Sequence, residues 1–391
     1  MSNVVSPGPV TWQEIALSKT TKFVVDNRGK TAPTEKSGIP LIATNCINNE
    51  NLYPVYENLR YVSQETYDNW FRSHPKPGDI LLTLKGSQNG AACLVPDPVD
   101  FVIAQDMVAL RVDEEVIDPL FLFAALRSDV VQAQIKNLDV SGVIPHLKKS
   151  DFDKLMLPYP DRDTQRSIGQ LYFSISKKID LLRRQNNTLE AMAASLFRQW
   201  FVEEAQVDWE DGTLGEVVEI FDGQRIPLSK MERDEKKDGQ LYPYYGAAQI
   251  MDYINDYIFD GEYILLGEDG TVRTDEGYPV LQFATGKFWV NNHAHVLQAK
   301  APYSNFFLWN YLSRTNIDEI VTGAVQPKIN QGNLKSLAYP RFPKNLVVEF
   351  NGITEPMLAS IQHNKKQVAG LEKLRDTLLP KLMSGEVRVA Y

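Results

Sequence analysis

A heptad seam of apolar residues occurs twice in this chain and restricts the fold more than any other feature. Between Gln165 and Glu204, Ile168, Tyr172, Ile175, Ile179, Leu182, Leu189, Ala193, Leu196 and Trp200 follow alternating steps of 4 and 3, with Asn186 filling the step to Leu189. The seam returns 182 positions later as Phe350, Thr354, Met357, Ile361, Asn364, Val368, Leu371, Arg375, Leu378 and Leu382. A long helix with one apolar stripe is unstable alone in water and needs a partner stripe. The other copy is the obvious candidate, which predicts an antiparallel coiled coil. Asn186 and Asn364 interrupt the seam, where a polar residue either fixes register or is tolerated at a solvent-reached layer. Pro356 predicts a kink or a late start in the second helix, and Pro380 its end or a bend. A helix of about 36 residues is roughly 54 Å long, so the pair reads as a spacer with an internal pseudo-two-fold.

The segments between the helices repeat as well. Leu155–Pro160 aligns with Leu337–Phe342, Val140–Phe152 with Val321–Leu334, Asp118–Ser128 with Ser304–Arg314, and Gly78–Gly86 with Gly261–Gly270. The segment Thr11–Lys19 parallels Gly212–Ile220 only loosely. A repeat this long means duplication of a whole domain rather than a solenoid of short units. The order is a globule over 1–160, a spacer helix over 161–206, a second globule over 207–343 and a second helix over 344–391. Each globule reads as α+β. Ile80–Leu84 and Tyr263–Leu266 are predicted strands between glycines, and Phe101–Ile103, Met107–Val112, Phe288–Val290 and His295–Ala299 continue as strands. Pro119–Arg127 and Phe306–Ser313 are predicted helices, and the charged run Met231–Gly239 a solvated loop.

Composition excludes several classes. No apolar run reaches the ~18 residues of a membrane helix, and the first 13 residues lack signal-peptide features. Cys46 and Cys93 are the only cysteines, too few for a disulfide framework or a cysteine metal site, so a cytoplasmic protein is expected. The formal net charge is −9, which opposes non-specific binding to nucleic acid. The globular segments are acidic and the helices slightly basic, so any polyanion must meet local basic faces. No Walker loop, no G-x-S-x-G elbow and no amino-methyltransferase signature occurs, since Pro158-Tyr159 and Tyr339-Pro340 lack its acidic or amide residue.

The order globule–helix–globule–helix resembles the specificity (S) subunits of type I restriction–modification systems. Leu189–Glu203 and Leu371–Val389 carry the resemblance most specifically, with Gly78–Gly90 and Leu214–Pro227 adding weaker matches. Pro160–Gln165 and Pro343–Phe350 depart from the family's Pro-Leu-x-Glu-Gln pattern. The resemblance implies a non-enzymatic subunit whose two target-recognition domains read the halves of a split, asymmetric site in double-stranded DNA. It implies helices that bind two methyltransferase (M) subunits, which carry S-adenosylmethionine, and it leaves room for an ATP-driven restriction (R) subunit. The chain itself is expected to need no cofactor and no metal.

The loops offer candidate DNA contacts, each with a plainer alternative. Lys85, Gln88 and Asn89 lie in the glycine-bounded segment after a strand, where backbone amides and a lysine suit phosphate, or where an ordinary hairpin turn suffices. The second copy has Glu268 and Asp269 there, so Thr271 and Arg273 are its candidates. His146, Lys148 and Lys149 follow a Ser-Gly turn, and Gln326 and Lys328 a Thr-Gly turn; they read bases and hold phosphate, or are solvated loops. Arg28, Lys30 and Arg225 occupy comparable early loops. Asn291, Asn292, His293 and His295 form a polar cluster suited to DNA readout or to structural histidines, with too few ligands for zinc. Phe197, Trp200 and Phe201 either pack on the adjacent globule or meet the M subunit. Two rivals remain: the specificity chain of an enzyme that cuts on both sides of its site, with a fused nuclease–methyltransferase partner, and a scaffold that binds protein or carbohydrate.

Overall fold

A computed structural model describes residues 12–27, 29–139, 143–205, 209–323 and 325–389. The chain divides into two units, the first made of residues up to Arg184 together with those from Asn364 onward, the second of Gln185–His363. The long helices, Arg162–Arg198 and Lys344–Met383, each contribute to both units. The sequence reading set these helices apart as spacers over 161–206 and 344–391; the contacts instead divide each helix near its middle.

The first unit contains β1 (Gln13–Ala16), β2 (Thr21–Asp26), β3 (Ile39–Ile42), β4 (Arg60–Val62), β5 (Ile80–Thr83), β6 (Ala92–Leu94), β7 (Val102–Ile103), β8 (Met107–Val112) and β9 (Met156–Tyr159). The central sheet has the order β2-β8-β5-β6, a second sheet β4-β3-β7, and β1 pairs with β9. Strand β5 is buried along its whole length, as a continuous apolar run at a sheet centre requires. The helix Pro119–Leu126 covers this core, started by Asp118, whose carboxylate accepts from the amides of Leu120 and Phe121 at 3.0 Å each. Gly169 lets the long helix approach that start: a Cβ there would lie 2.5 Å from the Phe121 nitrogen. Gln165 fixes the junction by accepting from the Asp118 amide and donating to the Pro160 carbonyl, both at 2.9 Å. The core then takes in Ile168 and Tyr172 from the first long helix with Leu379, Leu382 and Met383 from the second. Arg183 meets Glu372 at 2.5 Å. Rising numbers on one helix meet falling numbers on the other, so the halves run antiparallel.

The second unit contains β10 (Asp211–Thr213), β11 (Val218–Ile220), β12 (Tyr242–Tyr245), β13 (Ile250–Ile254), β14 (Phe259–Gly267), β15 (Leu281–Val290), β16 (Ala294–Ala299) and β17 (Ala338–Pro340). Its main sheet has the order β11-β16-β14-β15-β12-β13, and β10 pairs with β17. The pairings match those of the first unit. β2-β8-β5 corresponds to β11-β16-β14, and the parallel and antiparallel neighbours of β3 correspond to those of β12. The two sheets of the first unit are one sheet here because β15, ten residues long, does the work of both β6 and β7. The segment between β6 and β7 contains Pro96 and Pro98, which cannot donate to a ladder. The amides of Leu17 and Leu214 donate to the carbonyls of Leu155 and Leu337 at 2.9 and 2.8 Å. That equivalence moves the loose alignment near the start by four residues.

In the second unit the helix halves are again antiparallel: Ala193 shares a cluster with Ile361, and Trp200 meets Phe350. The aromatic group at the end of the first long helix packs into this unit. Phe201 lies 4.9, 5.2 and 5.5 Å from Phe307, Phe342 and Phe350, and Phe197 is equally enclosed.

Of the predicted seam, Ile168, Ile175, Ile179, Leu182 and Ile361 are buried, and Leu189, Leu196, Met357, Val368, Leu371 and Leu378 are half-buried; Asn186 and Asn364 are buried too. The second helix runs from Lys344 to Met383, so of the alternatives at Pro356 and Pro380 the late start and the end are excluded. Both prolines, and the residues four before them, Gly352 and Asp376, lie on exposed sides where a freed carbonyl meets water. The charged run begins as a short helix, Lys230–Asp234, because Ser229 and Glu232 form a capping box and Arg233, Lys236 and Lys237 pair with Asp252 and Asp256.

Phe201→Ala should destabilise the protein by ~3–5 kcal/mol, the usual cost of emptying an aromatic core position. Urea unfolding followed by tryptophan fluorescence measures it.

Candidate nucleic-acid interface

In each unit three loops that are distant in sequence are tied together at one edge of the core. In the first unit the loop after β5 meets the segment before the 3-10 turn Lys149–Asp151. Lys85 and His146 form a backbone bridge, the Gly86 amide donates to Pro145 at 3.0 Å, and the Leu147 amide donates to Leu84 at 2.8 Å. Asn89 reinforces the contact by accepting from the Leu147 amide at 3.1 Å. The Leu84 amide donates to Asp106 at 2.8 Å, and Lys149 pairs with Asp26 at the end of β2.

The second unit repeats this lacing. Asp269 bridges Lys328, the Gly270 amide donates to Pro327 at 3.1 Å, and the Ile329 amide donates to Glu268 at 2.8 Å. The Glu268 amide donates to His293 at 2.8 Å, and Gln331 donates to Asp222 at 3.1 Å. Gly86 and Gly270 hold φ of +97° and +77° at the equivalent turn, a conformation side-chain-bearing residues avoid. The structural partner of Lys85 is therefore Asp269, with Thr271 and Arg273 further along the loop.

Among the predicted contacts, Lys30, Gln88, Lys148, Lys149, Thr271, Arg273, Asn292, His293, Gln326 and Lys328 are exposed, and Lys85, Asn89 and His146 half-buried. Several are engaged within the protein: Asn89 with the Leu147 amide, Lys149 with Asp26, Arg273 with Asp318, His293 with Asp269 and Lys328 with Glu268. Arg28 lies outside the described residues. Sequence reading does not single out Asp106, which is exposed at this edge with φ of +68°, and it passes over Asp269 in favour of Thr271 and Arg273.

Arg225 is a correction, because it turns inward instead of lining a free loop. Its guanidinium donates to Glu268 and to the Ala294 carbonyl at 2.6 Å each. His295, on β16, is also buried. Its Nδ1 lies 2.6 Å from Asp222 and its Nε2 2.8 Å from the Ile329 carbonyl. A carbonyl only accepts, so Nε2 carries a proton. The Asp222 carboxylate, which faces Nδ1, also accepts from Gln331 and from the Val296 amide at 2.9 Å. Burial pushes the Asp222 carboxyl up, but the His295 hydrogen bond and charge, the Val296 amide and Arg225 outweigh it and hold the group below its ordinary value.

Asp222, Glu268 and His295 bring possible metal ligands within 4.8 Å of one another. All three are already engaged within the protein, and Arg225 and Lys328 both pair with Glu268, so the arrangement is an internal ion cluster. The corresponding positions in the first unit, Leu84 and Val108, are apolar, since Val108 faces Leu82 as His295 faces Leu266.

His295→Val, which leaves the Asp222 carboxylate and the Ile329 carbonyl without their imidazole partner, should cost ~1–3 kcal/mol in urea unfolding. Because the Asp222 carboxyl is depressed, its contribution is complete above about pH 4 and fades as pH falls through its lowered value. Acid titration of Asp222→Asn should show a shallower stability loss below pH ~4.

No helix among the described residues is long and apolar enough to cross a membrane. The model of the type I restriction modification DNA specificity domain matches residues 9–191 and 206–340. A type I restriction enzyme specificity subunit of Haemophilus influenzae is 34% identical over 163 residues, 42% of this chain and 40% of that protein. The MjaIX specificity subunit of Methanocaldococcus jannaschii is 24% identical over 307 residues, 69% of each chain. The chain thus spans under half of the first relative's length and about two thirds of the second's. The crystal structure of a type I S subunit from M. genitalium has a similar fold, with a TM-score of 0.61 at 18% identity over 97% of this chain and 98% of that one. The family match covers a recognition globule in each unit, and the chain belongs to the type I restriction–modification DNA specificity family.

Proposed function

We propose that this chain is the DNA-recognition subunit of a type I restriction–modification complex, working in the cytoplasm. Each unit reads one half of a two-part, asymmetric site in double-stranded DNA. Catalysis belongs to partners: two M subunits carrying S-adenosylmethionine, and an ATP-driven R subunit where the system has one. The observation that carries the reading is the pair of laced loop clusters, built on the same strand pairings but bearing different side chains. A shared frame with unlike contents suits two unlike half-sites. The net charge of −9 weakens binding by the chain alone, so tight binding is expected only with partners present.

The long helices support docking of two partners. In the second unit, Ala191, Met192, Leu196, Ile353 and Met357 line an open, mainly apolar groove of about 720 Å³. Met192 is 51% exposed, and Leu374, at the equivalent repeat position in the first unit, is 46% exposed. Equivalent apolar positions, one per unit, fit two copies of one partner.

Gel shifts with and without M subunits test the reading: a two-part DNA should be retained by the complex and hardly at all by the chain alone. Lys85→Ala and Lys328→Ala should each weaken binding and lower its salt dependence by about one ion if they hold phosphate. Met192→Asp or Leu374→Asp should each reduce the M subunits per chain from two to one by light scattering, and the double change should remove both.

A further inference from the structure

The backbone equivalences expose an ordering that sequence alignment hides. Three positions surround the loop junction in each unit. The first follows β5 or β14, the second precedes β8 or β16, and the third is the bridge partner of the first. In the first unit they hold Lys85, Asp106 and His146; in the second, Asp269, His293 and Lys328. Each set contains one lysine, one aspartate and one histidine, and the order is rotated by one place. All six side chains are exposed or half-buried, and in the second unit His293 Nδ1 meets Asp269 at 2.5 Å.

We propose that these three positions are specificity-determining in each unit, and that the rotation makes the two halves of the DNA site differ. The inference rests on the DNA-reading function above. A lysine only donates, an ionised aspartate only accepts, and a histidine does either. Lysine suits guanine O6 and N7, whereas aspartate suits the cytosine amino group. Aspartate repels phosphate, so toward DNA Asp106 and Asp269 suit a base amine, and Asp269 also holds His293 beside it. At the first position one unit places a donor, Lys85, where the other places an acceptor, Asp269, so one base pair there cannot satisfy both.

The test uses the complex of the full chain with its M subunits, selecting bound DNA from a pool with randomised half-sites. If the wild-type complex enriches no two-part sequence, the parent function fails and this inference with it. If it does, Lys85→Asp, Asp106→His and His146→Lys are introduced together, giving the first unit the order of the second. The expected result is a change of enriched bases in one half-site, with preferences moving about 10- to 100-fold, while the other half stays fixed. An unchanged sequence, or equal weakening on every DNA, overturns the proposal and leaves these residues as phosphate contacts or surface ion pairs. Asp106→Asn and Asp269→Asn decide the matter if the triple variant does not fold. Each should relax preference at a base pair in its own half only, and an unaltered preference in both overturns it.

Discussion

Everything in this structure depends on the burial of one helix stripe against another inside each unit. Ile168 and Tyr172 are enclosed with Leu379, Leu382 and Met383, and Ala193 with Ile361. The globular sheets add their own cores, but the helix Pro119–Leu126 and its counterpart Asn305–Leu312 rest between sheet and long helix. Remove the stripe and each short helix loses one of its two faces. The recognition loops stand on the sheets that those helices cover, so their geometry is set by apolar packing well below them.

Duplication preserved hydrogen bonds more faithfully than side chains. Backbone contacts between the loops recur almost atom for atom, while the groups beneath them changed from Leu84 and Val108 to Glu268 and His295. A buried ion pair is seldom more stable than the apolar pair it replaces. The second unit engages its carboxylates with Arg225, Lys328, His295 and the Val296 amide. Backbone bonds tolerate such divergence because they do not depend on side-chain identity, which makes this edge a stable frame for variable contents.

Much of this was legible in the sequence. The seam, the duplication and the family came from apolar spacing and from recurring segments, because burial constrains residue type at regular intervals. The helix starting after Asp118 was equally readable, although its sequence counterpart, Ser304, is a different cap. Arg225 was misjudged because an arginine in a glycine-containing loop reads as exposed, and only coordinates show Glu268 and the Ala294 carbonyl enclosing it. Asp106 was invisible since its left-handed backbone leaves no signature in a non-glycine residue. The sequence already set Glu268 and Asp269 opposite the Lys85 loop, and the hydrogen-bond register fixes Asp269 as the partner position.

The interleaving of the units bears on how the chain is made. Residues 185–363 are continuous, so the second unit is complete as soon as they have left the ribosome. The first unit begins earlier but must wait for Leu379, Leu382 and Met383 to seal Ile168 and Tyr172. Domains generally fold as units during synthesis. The half synthesised first is therefore finished last, and its apolar strip stays uncovered until Leu379, Leu382 and Met383 emerge.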